Sequence, residues 1–162
     1  MLGRTGLHAI KALAVLAGAD GDAYVGAAAI AARIRAPGNY LGKLLQTLAR
    51  TGLVEGRKGL QGGFRLGRKA DRISLYDVAE PIERISRWRG CFLTHAECRT
   101  DRPCPAHDRW ATVRETYVKF LQETTIQDVA TGIEDLAHPT SATATPAPSK
   151  RTGSLMRRRN RS

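Results

Sequence analysis

Apolar residues fall three or four apart over Thr5–Ala17, at Leu7, Ile10, Leu13, Ala14 and Ala17, and this spacing predicts an amphipathic helix. Gly18–Asp22 is a turn-rich break, and Tyr24-Val25 is short and apolar, as an edge strand is. An Ala-rich helix is expected over Gly26–Ile34. Pro37 then stands where a helix begins. In Asn39–Thr51, Leu41, Leu44, Leu45 and Leu48 form one stripe, with Gly52 as the stop. Two strand-like runs, Leu53–Lys58 and Gly63–Leu66, flank the tip Gly59-Leu60-Gln61-Gly62. A helix is predicted from about Tyr76 to Trp88. Residues 90–105 show no period. A long helix over Asp108–Gln122 follows, and a short one over Ile126–Asp135 closes the folded part.

This order reads as a mainly α fold with a small β-hairpin wing. A winged helix-turn-helix occupies 1–75. A linker helix, a cysteine-bearing loop and a long C-terminal dimerisation helix occupy 76–136. The remainder, 137–162, is rich in Pro, Ser, Thr and Ala, ends in Arg157-Arg158-Arg159-Asn160-Arg161, and is expected to stay unfolded.

Charge sharpens the reading. Residues 1–76 hold 12 Lys/Arg against 4 Asp/Glu, residues 77–136 hold 8 against 11, and residues 137–162 hold 6 against none. A basic front half suits a polyanion, because each neutralised phosphate releases counterions. In a helix-turn-helix the second helix enters the major groove. Its leucine stripe faces the core, which leaves Asn39, Tyr40, Lys43, Thr47 and Arg50 pointing outward. Asn39 suits adenine or phosphate, and Lys43 suits guanine or phosphate. On the hairpin, Arg57, Lys58 and Arg65 supply charge, while Gly62 and Gly63 let backbone approach a ligand closely. The expected partner is a double-stranded DNA operator with a two-fold symmetric site.

Three cysteines, Cys91, Cys98 and Cys104, share the irregular loop, with six and five residues between them, and His107 follows after two more. The close C-x₂₋₄-C pairs of zinc fingers and ribbons are absent, and three thiols leave one unpaired in any disulfide scheme. Widely spaced thiolates suit an iron–sulfur cluster, of [2Fe-2S] or [4Fe-4S] type, with the His107 imidazole as fourth ligand. A zinc or plain thiol switch on the same cysteines is the alternative, and an electron-transfer iron–sulfur protein is a more distant one. His95, in the same loop, and His8, on the first helix, are secondary candidates. On the long helix, Trp110, Val113, Tyr117 and Phe120 offer more apolar face than a small domain covers, so a homodimer is expected there.

No nucleotide-cradling glycine motif is present, so neither an enzyme nor a small-molecule substrate is expected. No run of about 18 apolar residues exists to span a membrane, and the start lacks the pattern of a signal peptide. A cytoplasmic location is therefore expected.

Taken together, these motifs resemble the IscR/NsrR-type regulators of the Rrf family over about residues 1–135. The resemblance rests on Arg4–Leu13, on Pro37-Gly38-Asn39-Tyr40-Leu41, on Lys58–Leu66, on Cys91/Cys98/Cys104-Pro105-Ala106-His107 and on Thr124–Val129. It implies a homodimer joined through the long helix, and a cluster that controls DNA affinity and senses redox state, nitric oxide or iron–sulfur status. Some members take a fourth ligand from the partner's first helix; Thr5-Gly6-Leu7-His8 offers no carboxylate there, which favours His107.

Overall fold

The computed structural model describes residues 2–19, 23–59, 62–88 and 103–131. Helix α1 (Arg4–Ala17) buries Ala9, Ile10, Ala12, Leu13, Val15 and Leu16. Helix α2 (Ala27–Ile34) and helix α3 (Gly38–Arg50) follow, packed on each other and on α1. Pro37 is the residue before α3, where its missing N–H costs no helical hydrogen bond. The four leucines of α3 are all buried, so the predicted stripe is the inner face.

Strands β1 (Val54–Arg57) and β2 (Gly63–Leu66) form an antiparallel hairpin in which Glu55 pairs Arg65 and Gly56 pairs Phe64. Val25 adds an isolated bridge to the outer edge of β2, exchanging both backbone hydrogen bonds with Phe64 at 2.9 and 2.8 Å. The expected edge strand at Tyr24-Val25 is this bridge.

A 3-10 turn (Ala70–Arg72) leads to helix α4 (Leu75–Glu83). Ser74 and Asp77 close a capping box at its start, with Asp77 N–H donating to the Ser74 hydroxyl and Ser74 N–H to the Asp77 carboxylate. The predicted helix Tyr76–Trp88 is shorter than expected. Pro81 removes one helical N–H, and Arg84 turns left-handed at φ 52°. The chain then makes a 3-10 turn, Ile85–Arg87. Glu80 holds this corner by accepting from the Ser86 N–H at 2.8 Å and the Ser86 hydroxyl at 2.6 Å.

Helix α5 (His107–Glu123) and helix α6 (Ile126–Ala130) complete the described chain. The α5–α6 junction returns to the start of α4: Leu75 N–H donates to Thr124 O, and Ile126 N–H to Ile73 O, both at 2.8 Å. Thr125 and Asp128 cap α6 as a second box. One apolar cluster therefore runs from Ala9 on α1 to Ile126 on α6, taking in the leucines of α3 and Val78 of α4. Helix α1 packs against α4 and α6 as well as α2. The tail from 132 onward, including the expected end of the last helix at Asp135, lies outside the described residues.

Candidate nucleic-acid interface and thiol site

With its leucines buried, α3 presents Asn39, Lys43, Gln46, Thr47 and Arg50 to solvent. Thr47 turns its hydroxyl back to the Lys43 carbonyl at 3.1 Å. Gln46 was not among the residues expected there; it lies in the same exposed register and carries an amide suited to adenine. Tyr40 differs from its neighbours. It is half-buried, packs against the core and meets the ring of His8 edge-on, with centroids 5.8 Å apart. His8 thus braces α1 against the first turn of α3. Burial lowers the pKa of His8 below its usual value, and nearby Lys11 and Arg4 push the same way. Its Nδ1 is buried without a hydrogen-bond partner among the described residues.

The wing carries Arg57 and Lys58 exposed, with Arg65 partly covered. Gly62 N–H donates to Gly59 O at 2.9 Å and closes the turn, and a Cβ on Gly62 would lie 2.3 Å from the Arg57 carbonyl oxygen. Only glycine fits that approach. Arg65 donates from Nε to Glu55 Oε2 at 2.9 Å, and its Nη2 lies 2.8 Å from the same oxygen. The guanidinium groups of Arg65 and Arg57 lie 5.1 and 5.9 Å from the centre of the Tyr24 ring. Neither Glu55 nor Tyr24 was expected at this face. Glu55 is legible only from the strand register, and Tyr24 only from the bridge at Val25.

Of the proposed metal ligands, Cys91 and Cys98 lie outside the described residues, as does His95. Cys104 is a partly buried free thiol, and His107 opens α5. His107 N–H donates to the Cys104 carbonyl at 2.9 Å, so one turn carries both donors. A thiol and an imidazole three residues apart are chemically suited to iron or zinc.

On α5, Val113 and Phe120 are 56% and 51% exposed, although both are apolar and seven residues apart on one stripe. Tyr117, between them, turns partly inward. It stacks on Trp88 with centroids 5.9 Å apart and accepts the Leu2 N–H at 3.0 Å on its hydroxyl. Trp110 is half-buried. No described helix is long and apolar enough to cross a membrane.

The sequence matches the family described as "Rrf2: Iron-dependent Transcriptional regulator" across residues 2–132. It is 32% identical over 124 residues to a candidate HTH-type transcriptional regulator of Aquifex aeolicus, covering 75% of this chain and 85% of that one. It is 30% identical over 130 residues to a second such regulator, YwgB of Bacillus subtilis, covering 80% and 83%. Among solved structures, CymR, the global cysteine regulator of B. subtilis, superposes with a TM-score of 0.69 at 25% identity, covering 81% of this chain and 96% of that one. IscR of T. potens superposes with a TM-score of 0.65 at 22% identity, covering 84% and 90%, a likeness of fold. The helix-turn-helix, the hairpin wing and the long helix are thus those of a known winged-helix architecture, and the chain belongs to the Rrf2 family of transcriptional regulators, which are not enzymes.

Proposed function

We propose that this regulator binds operator DNA as a homodimer, and that an iron–sulfur cluster on Cys91, Cys98, Cys104 and His107 sets its affinity. The observation that carries the DNA reading is the pairing of an exposed polar face on α3 with a basic wing. Asn39, Lys43 and Thr47 would meet base edges and phosphate in the major groove, with the Tyr40 backbone at the helix entry. Arg57, Lys58, Gly62, Gly63 and Arg65 would meet the backbone or the minor groove. The second α3 and wing would come from a partner joined through Val113 and Phe120, with Trp110 and Tyr117 beside them.

The sensor reading rests on the donor chemistry of the cysteine segment and on the family's description as iron-dependent. When bound, a cluster supplies a centre that responds to redox state and nitric oxide. The chain's own part is transmission. Cys91 follows Trp88 by three residues, Trp88 stacks on Tyr117 of α5, and Glu83 ties the end of α4 to the start of α1. A change at the thiols would reach α1, and through His8 the first turn of α3. Affinity changes only as far as DNA distinguishes the two states.

A second reading, a thiol switch without metal, is favoured by the likeness to the cysteine regulator CymR, whose Staphylococcus aureus counterpart is known in an oxidised form. Anaerobic purification, with iron, sulfide and zinc analysis and an absorption spectrum, separates the readings. Gel shift with wild type and the triple Cys→Ala protein then tests control. Iron and sulfide uptake that changes DNA affinity supports the cluster. Zinc alone, or affinity that follows thiol oxidation with no metal, replaces it.

A further inference from the structure

We propose that Tyr24 is a positioning residue for DNA binding, whose ring holds Arg57 and Arg65 together on the wing as a preformed clamp for phosphate. This rests on the DNA-binding reading above and adds a residue outside both α3 and the hairpin.

The placement follows from strand geometry. Glu55 and Arg57 are two apart on β1, so they share a face, and Arg65 stands opposite Glu55 on β2. The position opposite Arg57 is Gly63, which has no side chain. A Cβ there would lie 2.5 Å from the Val25 carbonyl oxygen and 3.0 Å from Gly26 N. The bare glycine therefore lets the segment entering α2 cross β2 closely. The Val25–Phe64 bridge fixes that crossing, and the Tyr24 ring comes to lie within 5.9 Å of one guanidinium and 5.1 Å of the other.

Two long cationic side chains facing one way repel each other and lose rotamer freedom when ordered. The negative face of an aromatic ring offsets the repulsion at both guanidiniums at once. Glu55 fixes the direction of Arg65 by taking its Nε and Nη2 edge. Ordering charges before DNA arrives lowers the entropy lost on binding, so the gain appears as affinity for duplex. The ring also links the wing to the start of α2, so the clamp keeps its place relative to the helix-turn-helix.

The test uses the full-length protein and a duplex selected by the wild type from a random pool. Tyr24→Leu, or Tyr24→Thr should the leucine variant fail to fold, is expected to weaken binding about fivefold. Tyr24→Phe, which keeps the ring, is expected to restore it. In an Arg57→Ala/Arg65→Ala background, itself weakened, Tyr24→Leu should change affinity less than about twofold, because the ring then has nothing to hold. A full fivefold loss in that background, an unchanged Tyr24→Leu protein, or full affinity in the double Arg→Ala protein would each overturn the assignment. A wild type that selects no duplex at all would overturn the DNA reading instead.

Discussion

Glu83 accepts the N–H of Gly3 through both carboxylate oxygens, at 2.8 and 2.9 Å, and its Oε1 also takes the N–H of Gly6 at 3.1 Å. The start of α1 has no side-chain cap of its own. A carboxylate from the far end of α4, some 80 residues away in sequence, satisfies amides that a helix leaves orphaned. Its charge also opposes the positive end of the helix dipole.

Removing that carboxylate should therefore loosen α1 from α4. Glu83→Ala is expected to cost about 1–2 kcal/mol, and Glu83→Gln less, because the amide oxygen still accepts. Urea unfolding measures both. Equal stability for all three proteins would mean water replaces the carboxylate without loss.

Val113 and Phe120 leave an apolar stripe in solvent that a dimer would cover. Val113→Asp should shift the protein toward monomer in light scattering and weaken DNA binding with it. Charge placed at a core of such an interface is left unpaired, which opposes association strongly. A Val113→Asp protein that stays dimeric moves the interface to another face.

Lys43 on α3 and Lys58 on the wing are both exposed. If each meets phosphate, Lys43→Ala and Lys58→Ala should each lower the slope of log affinity against log salt by about one. A loss confined to one base position of the operator would instead place Lys43 on a base edge. Unchanged affinity and slope in both variants would count against the groove assignment.

Glu80 gives the corner after α4 a pH dependence. Burial alone would raise its pKa, but hydrogen bonds from the Ser86 hydroxyl and N–H, and from Tyr76 and Ile85, hold it below the usual carboxylate value. The folded state therefore favours the ionised form. That contribution is complete above the usual carboxylate range and is lost as pH falls through the lower, folded value. Between about pH 5 and pH 3, Glu80→Gln should lose less thermal stability than the wild type. Parallel curves for the two proteins would show that this corner contributes no acid sensitivity.

Periodicity made the helices legible because burial repeats with the backbone: the leucines of α3 could face only one way. The wing was legible because Gly59, Gly62 and Gly63 mark a tight turn between short strands. The early end of α4 was half legible: Pro81 warns of a broken helix, but the left-handed turn at Arg84 depends on Glu80 reaching forward to Ser86. Tyr40 and Tyr117 read as surface aromatics, yet both turn partly inward, one to His8 and the other to Trp88. Such turns depend on partners far away in sequence. Tyr24 was legible as part of a short edge strand, but its place beside Arg57 and Arg65 was not, since it is set by a bridge between segments 39 residues apart.

The ring of Trp88 lies parallel to that of Tyr117, with an interplanar angle of 1°. Indole emission depends strongly on the polarity and contacts of its surroundings, so this pair is an optical gauge already built into the chain. It stands just before the first cysteine in sequence and rests on α5, whose first turn follows the third. With Trp110→Phe leaving Trp88 as the single indole, light emitted there would register a rearrangement of the segment between them in real time, with no label added, before any DNA is present.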